Sequence, residues 1–290
     1  MLRRNRPRHD CDPQRATAIG IALLALSLLA VACGGGSTDE SSTARPPSTT
    51  SAAPARVLKI VALGDSETTG SGDPTGLGWV ERYARLVRQR LHARVDVSNL
   101  AQDGKTSDQL LADVRGDRAT RREIQQAAIV LFGVGGADYN AADAAFQAGR
   151  CRAEACYAPV LRSFARNFDA TVAAVRRLSG FNRTVLRAIT QPNVLTGAED
   201  VIPPFLRPIA TRIGSFQART ADRAICRTMA KYGGRCINLL RAFNGPAGTA
   251  NAYQSGLLNH QDCCYPSARG QQLMAEMLIS TGLAPYGRRA

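Results

Sequence analysis

Short apolar runs alternate with amphipathic stretches from residue 57 to the end of the chain. The predicted strands are residues 57–63, 94–100, 127–134, 184–190 and 235–240. The predicted helices, with apolar residues at helical spacing, are residues 77–91, 106–114, 157–178, 213–231 and 266–281. This alternation predicts a parallel sheet covered by helices on both faces. We therefore expect an α/β fold, a flavodoxin-like three-layer α/β/α sandwich on a five-stranded parallel sheet.

The start of the chain follows a different pattern. Residues 1–15 are basic, residues 16–32 are almost wholly apolar, and small residues precede Cys33. This order is typical of a secretory signal. The segment LAVAC resembles the lipobox of bacterial lipoproteins, with Cys33 as the lipidated residue, although Ala30 stands where Leu is usual. An uncleaved membrane anchor and free secretion are the alternatives, and all three predict export from the cytoplasm.

Residues 34–56 consist mainly of Gly, Ser, Thr, Pro and Ala, which predicts a flexible tether. We therefore divide the chain into a signal peptide with its lipobox at 1–33, a disordered linker at 34–56 and a folded domain at 57–290. The formal charge of +14 favours anionic cell-surface polymers or lipid head groups, or it reflects a solvated basic surface. We expect no nucleic-acid partner, because the Arg residues are scattered along an exported chain.

Beyond the signal, six cysteines remain: Cys151, Cys156, Cys226, Cys236, Cys263 and Cys264. An even number of cysteines in an exported chain suggests disulfides. The local pairs Cys151–Cys156 and Cys226–Cys236 are the expected ones. A bridge between the neighbouring Cys263 and Cys264 would be strained, because their Cα atoms lie only about 3.8 Å apart. We find no Cys/His spacing that indicates a metal site, and we expect no cofactor.

The loops after the predicted strands carry the candidate chemistry, because functional residues of parallel sheets lie beyond the carboxyl ends of the strands. GDSETTGSGD follows the first strand and exposes Ser66, which can act as a nucleophile when a base removes its proton. The same loop also suits a phosphate group, as in flavodoxin-like cofactor sites, or a plain turn. In NLAQDGKTSDQLL, Gly104 precedes a helix, and its amide can donate to a developing oxyanion.

Four segments together resemble the SGNH hydrolases, also called the GDSL family of lipases and esterases. They are ALGDSETTGSGDPTGLGWVERYARL, NLAQDGKTSDQLL, GVGGADYN and NHQDCCYPSARGQQLMAEML. Their order and spacing disfavour a flavodoxin cofactor site. The resemblance implies an α/β/α fold and hydrolysis of esters or other acyl groups. It also implies Ser66 as nucleophile, the amides of Ser66 and Gly104 as oxyanion donors, and Asp262 as the residue that orients the catalytic His.

Two positions depart from the family pattern. Ala137 stands where the family has an Asn that donates to the oxyanion, and Tyr265 stands where it has the catalytic His. A neutral Tyr has a pKa near 10 and is a poor general base at neutral pH. His92 is predicted at the amino ends of the strands, away from the site. His260 lies in the correct loop and is the candidate replacement base.

Two interpretations remain open, so whether the domain is an enzyme is not decided by the sequence. In the first, the domain is a slow or impaired acyl-ester hydrolase at the cell envelope, with Ser66, Asp262 and His260 or a bound water as its catalytic groups. In the second, it is an inactive family member that binds a cell-surface glycan, lipid or acylated polymer. A structural envelope lipoprotein is a third interpretation. The expected partners are an ester-bearing small molecule, a lipid or an acylated glycan, and a membrane reached through a lipid anchor, with the protein itself monomeric.

Overall fold

The strands form one parallel sheet in the order β2-β1-β3-β4-β5. The computed structural model describes residues 57–180, 183–198, 202, 204, 207–260 and 264–287. Within them the strands are β1 (Val57–Gly64), β2 (Arg94–Asn99), β3 (Ile129–Gly133), β4 (Val185–Ile189) and β5 (Arg235–Ile237). The register between the two central strands pairs Ile60 with Ile129 and Gly64 with Gly133. The predicted α/β fold on a five-stranded parallel sheet is confirmed.

Helices connect the strands and cover the sheet. They are α1 (Ser66–Thr69), α2 (Gly78–Leu91), α3 (Ser107–Gly116), α4 (Arg118–Gln126), α5 (Asn140–Gln147), α6 (Glu154–Ser179), α7 (Ala210–Lys231), α8 (Leu239–Asn244) and α9 (Ala268–Ser280). Each of the five long helical stretches expected from the sequence is present, with ends that differ by a few residues. The short helices α1, α4, α5 and α8 were not predicted.

The sheet separates two apolar cores because successive side chains of a strand point to opposite faces. On β1, Ile60 and Ala62 belong to the core shared with α2, α8 and α9. Val61 and Leu63 belong to the core shared with α3, α4, α6 and α7. Both faces of the central strands are therefore buried, which explains why their sequences are continuously apolar. The two cores and the sheet between them make the three layers.

The prediction of where the fifth strand ends is wrong. The sequence predicted a strand over 235–240, but β5 ends at Ile237 and α8 begins at Leu239. Asn238 causes the change, because its side chain accepts the backbone N–H of Arg241 at 2.7 Å and so caps the helix. An apolar run can be a strand or a buried helix, and the capping residue decides here in favour of the helix.

Both expected local disulfides are present. Cys151 is bonded to Cys156 at the start of α6, and Cys226 of α7 is bonded to Cys236 of β5, each with a Cα–Cα distance of 5.3 Å. Cys263 lies outside the described residues, so the structure does not test a bridge between Cys263 and Cys264. The predicted signal with Cys33 and the predicted linker lie outside them as well. Among the described helices, none combines the length and apolar character that a membrane crossing requires.

Candidate active site

Asp65 holds Ser66 at the carboxyl end of the sheet. Ser66 is partly exposed and begins the one-turn helix α1 directly after β1, with the buried Asp65 as its N-cap. The Asp65 carboxylate accepts three backbone N–H groups, those of Glu67 (3.1 Å), Gly135 (2.9 Å) and Gly136 (3.0 Å). The loop after β3 is therefore bound to the loop that carries Ser66. Nothing in the sequence around Asp65 indicates this role.

The glycines at the ends of β1 and β3 allow this close approach. A Cβ atom at Gly64 would lie 1.9 Å from the carbonyl oxygen of Gly133 and 2.5 Å from the Thr68 hydroxyl oxygen. The Thr68 hydroxyl lies in this space and donates a hydrogen bond to the Gly133 carbonyl at 2.7 Å. Any side chain at position 64 would therefore move Ser66 away from the sheet.

Two carboxyl groups around Ser66 have raised pKa values. Burial raises the pKa of Asp65 to about 6, although the hydrogen bonds from the three amides act in the opposite direction. Burial raises the pKa of Glu67 to about 8, and the charge of Asp65 adds to the effect. The Glu67 carboxyl group therefore holds its proton to a higher pH than Asp65 does.

The Tyr265 side chain lies near Ser66, close enough for the serine hydroxyl to influence the pKa of the phenol. Burial raises the pKa of Tyr265 above its usual value near 10, and the Ser66 hydroxyl lowers it only in part. The phenol is therefore protonated at neutral pH. Gly72 packs against the same residue, because a Cβ atom there would lie 2.3 Å from the Cβ of Tyr265. The tyrosine occupies the place next to Ser66 that the family resemblance gives to the catalytic His.

Hydrogen bonds of Gln271 connect the Ser66 loop to α9. This fully buried side chain of α9 accepts the backbone N–H of Trp79 at 2.8 Å and donates to the carbonyl of Ser71 at 3.3 Å. The Asn259 side chain adds a hydrogen bond to the Gly72 carbonyl at 3.2 Å. Residues about 190 positions apart in sequence therefore determine the position of Ser66 together. Gln271 falls within the closing segment of the family resemblance, but its chemistry gave no signal in the sequence.

Gly104 lies at the open side of the site. It is exposed, has a φ of +73°, and a Cβ atom placed on it would meet no atom within 4 Å. Its loop is attached to the first one, because the Thr69 hydroxyl donates to the Asp103 carboxylate at 2.7 Å. A polar cavity of about 370 Å³ continues from this point, lined by Gln102, Asp103, Gly104, Lys105, Gln109 and Asp113. The cavity gives a polar group room beside the predicted oxyanion donor.

Ala137 follows the segment that Asp65 binds. It starts a short 3-10 turn, Ala137–Tyr139, directly after the Gly135 and Gly136 amides. Asp138 points back to the second loop and accepts the backbone N–H of Ser107 at 2.9 Å. Hydrogen bonds therefore hold the loop after β3 on both sides of Ala137. The methyl side chain of Ala137 offers no hydrogen-bond donor.

His260 is not paired with Ser66 in the part of the chain that the structure describes. It is exposed, and its ring packs on that of Tyr253 with 4.7 Å between centroids. His92 ends α2 in a left-handed conformation just before β2, at the amino ends of the strands as expected. Asp262 lies outside the described residues. The catalytic roles of His260 and Asp262 therefore stay predictions.

The family of the chain follows from a comparison with protein-family models. Residues 62–273 match the model of the GDSL-like Lipase/Acylhydrolase family, which is more than half of the chain. The chain therefore belongs to this family of hydrolases. The matched range includes Ser66, Gly104, Ala137 and Tyr265, and the two departures from the family pattern lie inside it.

Individual relatives agree with this assignment. The chain is 40% identical to Uncharacterized protein YpmR of Bacillus subtilis (strain 168) over 82 residues, which are 28% of this chain and 32% of YpmR. The match thus spans about a third of that relative's length. The lipase Lip_vut3 from a goat rumen metagenome is 19% identical, with a TM-score of 0.65, and the alignment covers 79% of this chain and 99% of the lipase. A lipase/acylhydrolase from Enterococcus faecalis is 18% identical, with a TM-score of 0.53 and coverage of 80% and 100%. At these identities the two structures support the fold alone.

Proposed function

We propose that the domain hydrolyses acyl esters, with Ser66 as the nucleophile and the amides of Ser66 and Gly104 as oxyanion donors. The observation that carries the proposal is the position of Ser66. It is a partly exposed serine on a one-turn helix directly after β1, held by the Asp65 carboxylate, in a loop that Thr69 joins to the Gly104 loop. In this mechanism, the Ser66 oxygen attacks the ester carbonyl, the alcohol leaves, and water then hydrolyses the acyl-serine.

Hydrolysis is proposed to be slow because two groups that assist it are replaced. Loss of one oxyanion donor costs about 10²–10³ in turnover in a measured case, which is the effect expected of Ala137. The protonated phenol of Tyr265 cannot take the Ser66 proton at neutral pH. We propose that His260, oriented by Asp262, or a bound water accepts this proton. These two losses do not multiply, because groups of one catalytic unit act together.

The proposed substrate is an ester-bearing small molecule, a lipid or an acylated glycan outside the cytoplasm. We propose that residues 1–33 direct export with lipidation of Cys33, that residues 34–56 are the tether, and that residues 57–290 form a monomeric domain. The cavity beside Gly104 supports a polar substrate group, because its walls carry amide, carboxylate and ammonium side chains. The two disulfides agree with folding in an oxidising compartment.

A catalytically inactive binding protein is the second candidate function. The observation that favours it is that a phenol stands beside Ser66, because burial raises the pKa of Tyr265 and keeps it protonated. In this case, the cavity beside Gly104 would hold a polar group of an acylated glycan or lipid without cleavage of the ester.

The test compares p-nitrophenyl butyrate hydrolysis by the full chain and by two matched variants. Ser66→Ala is expected to reduce turnover to the uncatalysed background. Ser71→Ala is the control, because it removes a second hydroxyl from the same loop and should keep turnover within about twofold, as surface substitutions usually do. Unchanged turnover in Ser66→Ala would overturn the nucleophile assignment. Absence of turnover in the wild-type chain, together with binding of an acetylated glycan, would favour the second candidate.

A further inference from the structure

A groove between α6 and α7 carries four arginines. Its volume is about 690 Å³, and its walls contain Arg162 and Arg166 from α6 and Arg223 and Arg227 from α7. All four side chains are exposed. The groove shares no residue with the candidate active site, and the catalytic proposal assigns it no role.

The four arginines occupy two matching levels along the two helices. Both helices follow strands of the parallel sheet and run in the same direction, and the ion pair between Lys231 and Asp169, at 2.9 Å, fixes their register. Arg166 and Arg227 each precede this ion pair by about one helical turn, and Arg162 and Arg223 precede it by about two. Arginines four positions apart on one helix have Cβ atoms about 6 Å apart. The groove therefore presents positive charge at two levels, whose Cβ atoms lie about 6 Å apart along each helix.

No described carboxylate lies within 4.0 Å of any of the four guanidinium groups, although Arg212 of α7 forms an ion pair with Glu154 of α6 at 3.1 Å. Asp169 also lines the groove but is paired with Lys231, and the charge of Asp222 interacts with that of Arg223 at longer range. The hydrogen bonds found for the four groups go to hydroxyls of their own helices, from Arg166 to Ser163 and from Arg223 to Thr220. Like charges held this close repel one another, so an anionic ligand would relieve the repulsion.

The floor of the groove is apolar and narrow. It contains Ala158, Leu161, Ala165, Phe216 and Ala224. Small alanine side chains let a thin chain lie close to the helices, and the floor suits the carbon atoms between successive anionic groups. A single aromatic ring in the lining argues against single-stranded nucleic acid, which stacks its bases on several aromatic side chains. The concave shape argues against a flat bilayer surface, which cannot enter a groove.

We propose that this groove binds a linear polyol phosphate polymer, with one phosphate held by the two arginines of each level. Arginine suits this ligand, because its planar guanidinium group donates two parallel hydrogen bonds to phosphate oxygens. The carbon spacers of the polymer would lie on the floor at Phe216 and Leu161. The groove is thus inferred to hold the protein on an anionic surface polymer while the active site remains accessible.

The experiment measures binding of the full chain to a fluorescent poly(glycerol phosphate) oligomer by anisotropy at several salt concentrations. The groove variant is Arg162→Gln with Arg166→Gln, Arg223→Gln and Arg227→Gln. The control variant removes four exposed arginines of α2 and α4, namely Arg85, Arg90, Arg118 and Arg122, and has the same net charge. We expect the groove variant to bind at least about thirtyfold more weakly, with the slope of log K against log salt reduced by about 1.5, since two phosphates lose their contacts. The control should stay within about threefold.

Three further measurements keep the result interpretable. A variant with lysine at the four groove positions retains charge and loses the bidentate geometry, so a loss of at least about fivefold is expected in a folded protein. Equal losses in the groove and control variants, or no loss in the folded lysine variant, would overturn the proposal. Binding to phosphatidylglycerol vesicles or to single-stranded DNA that depends on the groove, with no binding of the oligomer, would also overturn it.

Discussion

Replacing Tyr265 by His is expected to raise ester hydrolysis by about two orders of magnitude. The phenol already lies near the Ser66 hydroxyl, but burial raises its pKa above 10. At most about one phenol in a thousand is therefore deprotonated at pH 7, whereas about three quarters of imidazole groups with a pKa near 6.5 are neutral and able to accept a proton. The fraction of chains with a competent base thus rises by almost three orders of magnitude.

The expected gain is smaller than this ratio. A positioned general base contributes about 10²–10⁴ to a rate. An imidazole is shorter than a phenol, and Ala137 still offers no third oxyanion donor, so the lower end of that range is the expected result. The shape of the pH profile also changes. If the phenolate is the base in the wild-type chain, its rate rises about tenfold for each pH unit below the pKa of Tyr265, whereas the Tyr265→His rate levels off above about pH 7.

The assay is kcat/KM for p-nitrophenyl butyrate between pH 5 and 10, with Tyr265→Phe as the matched control. Phenylalanine keeps the Cβ that contacts Gly72 and the aromatic ring, and it removes only the hydroxyl, so it should give no gain. Far-UV circular dichroism establishes that each variant is folded. A folded Tyr265→His variant that is no faster than Tyr265→Phe would refute the reasoning, because the missing base would then not limit the rate.

Three further predictions concern stability. Asp73→Asn should cost about 3 kcal/mol in urea unfolding, because it breaks the buried ion pair with Arg82 at 2.9 Å. Burial opposes ionisation of Asp73, but hydrogen bonds from Thr75 and Arg82 lower its pKa, so this difference should shrink as pH falls below about 3.8, and a difference that does not change with pH would contradict the reasoning. Removing the Cys226–Cys236 disulfide with two alanines should cost about 2.7 kcal/mol for a loop of 10 residues, and reducing agent should then shift the urea midpoint less than in the wild type, because only Cys151–Cys156 remains to be reduced. Burial raises the pKa of Asp222 to about 6, so the folded state holds this proton more tightly and wild-type stability should fall as pH rises from 4 to 7. Asp222→Asn should remove at most about 3 kcal/mol of that fall, and an identical pH dependence in both proteins would contradict the assignment.

The sequence was sufficient for the parts of the fold that depend on local pattern. β1 and β3 are continuously apolar because both of their faces are buried, and this feature is visible without a structure. The two disulfides join cysteines only 5 and 10 positions apart, so short separation was a reliable guide. The position of Ser66 after β1 and of Tyr265 before α9 followed from the order of the segments.

The parts that could not be predicted depend on contacts between distant segments. Asp65 binds amides that follow a different strand, and nothing in its own neighbourhood indicates those partners. In the sequence, Gln271 is an ordinary polar residue of an amphipathic helix. In the structure its side chain is fully buried and accepts a hydrogen bond from the backbone N–H of Trp79. The ring contact of His260 with Tyr253 is likewise set by loop packing rather than by sequence spacing.

The hydrogen bonds of Gln271 also have a consequence for when the site can form. They join Trp79 and Ser71 to a helix that is among the last parts of the domain to be synthesised. Contacts between residues this far apart form late, because a long loop must close first. A growing chain therefore carries its GDS segment for most of its synthesis without the partner that completes the cleft. This order means that the serine and its neighbouring tyrosine first meet after α9 has been made.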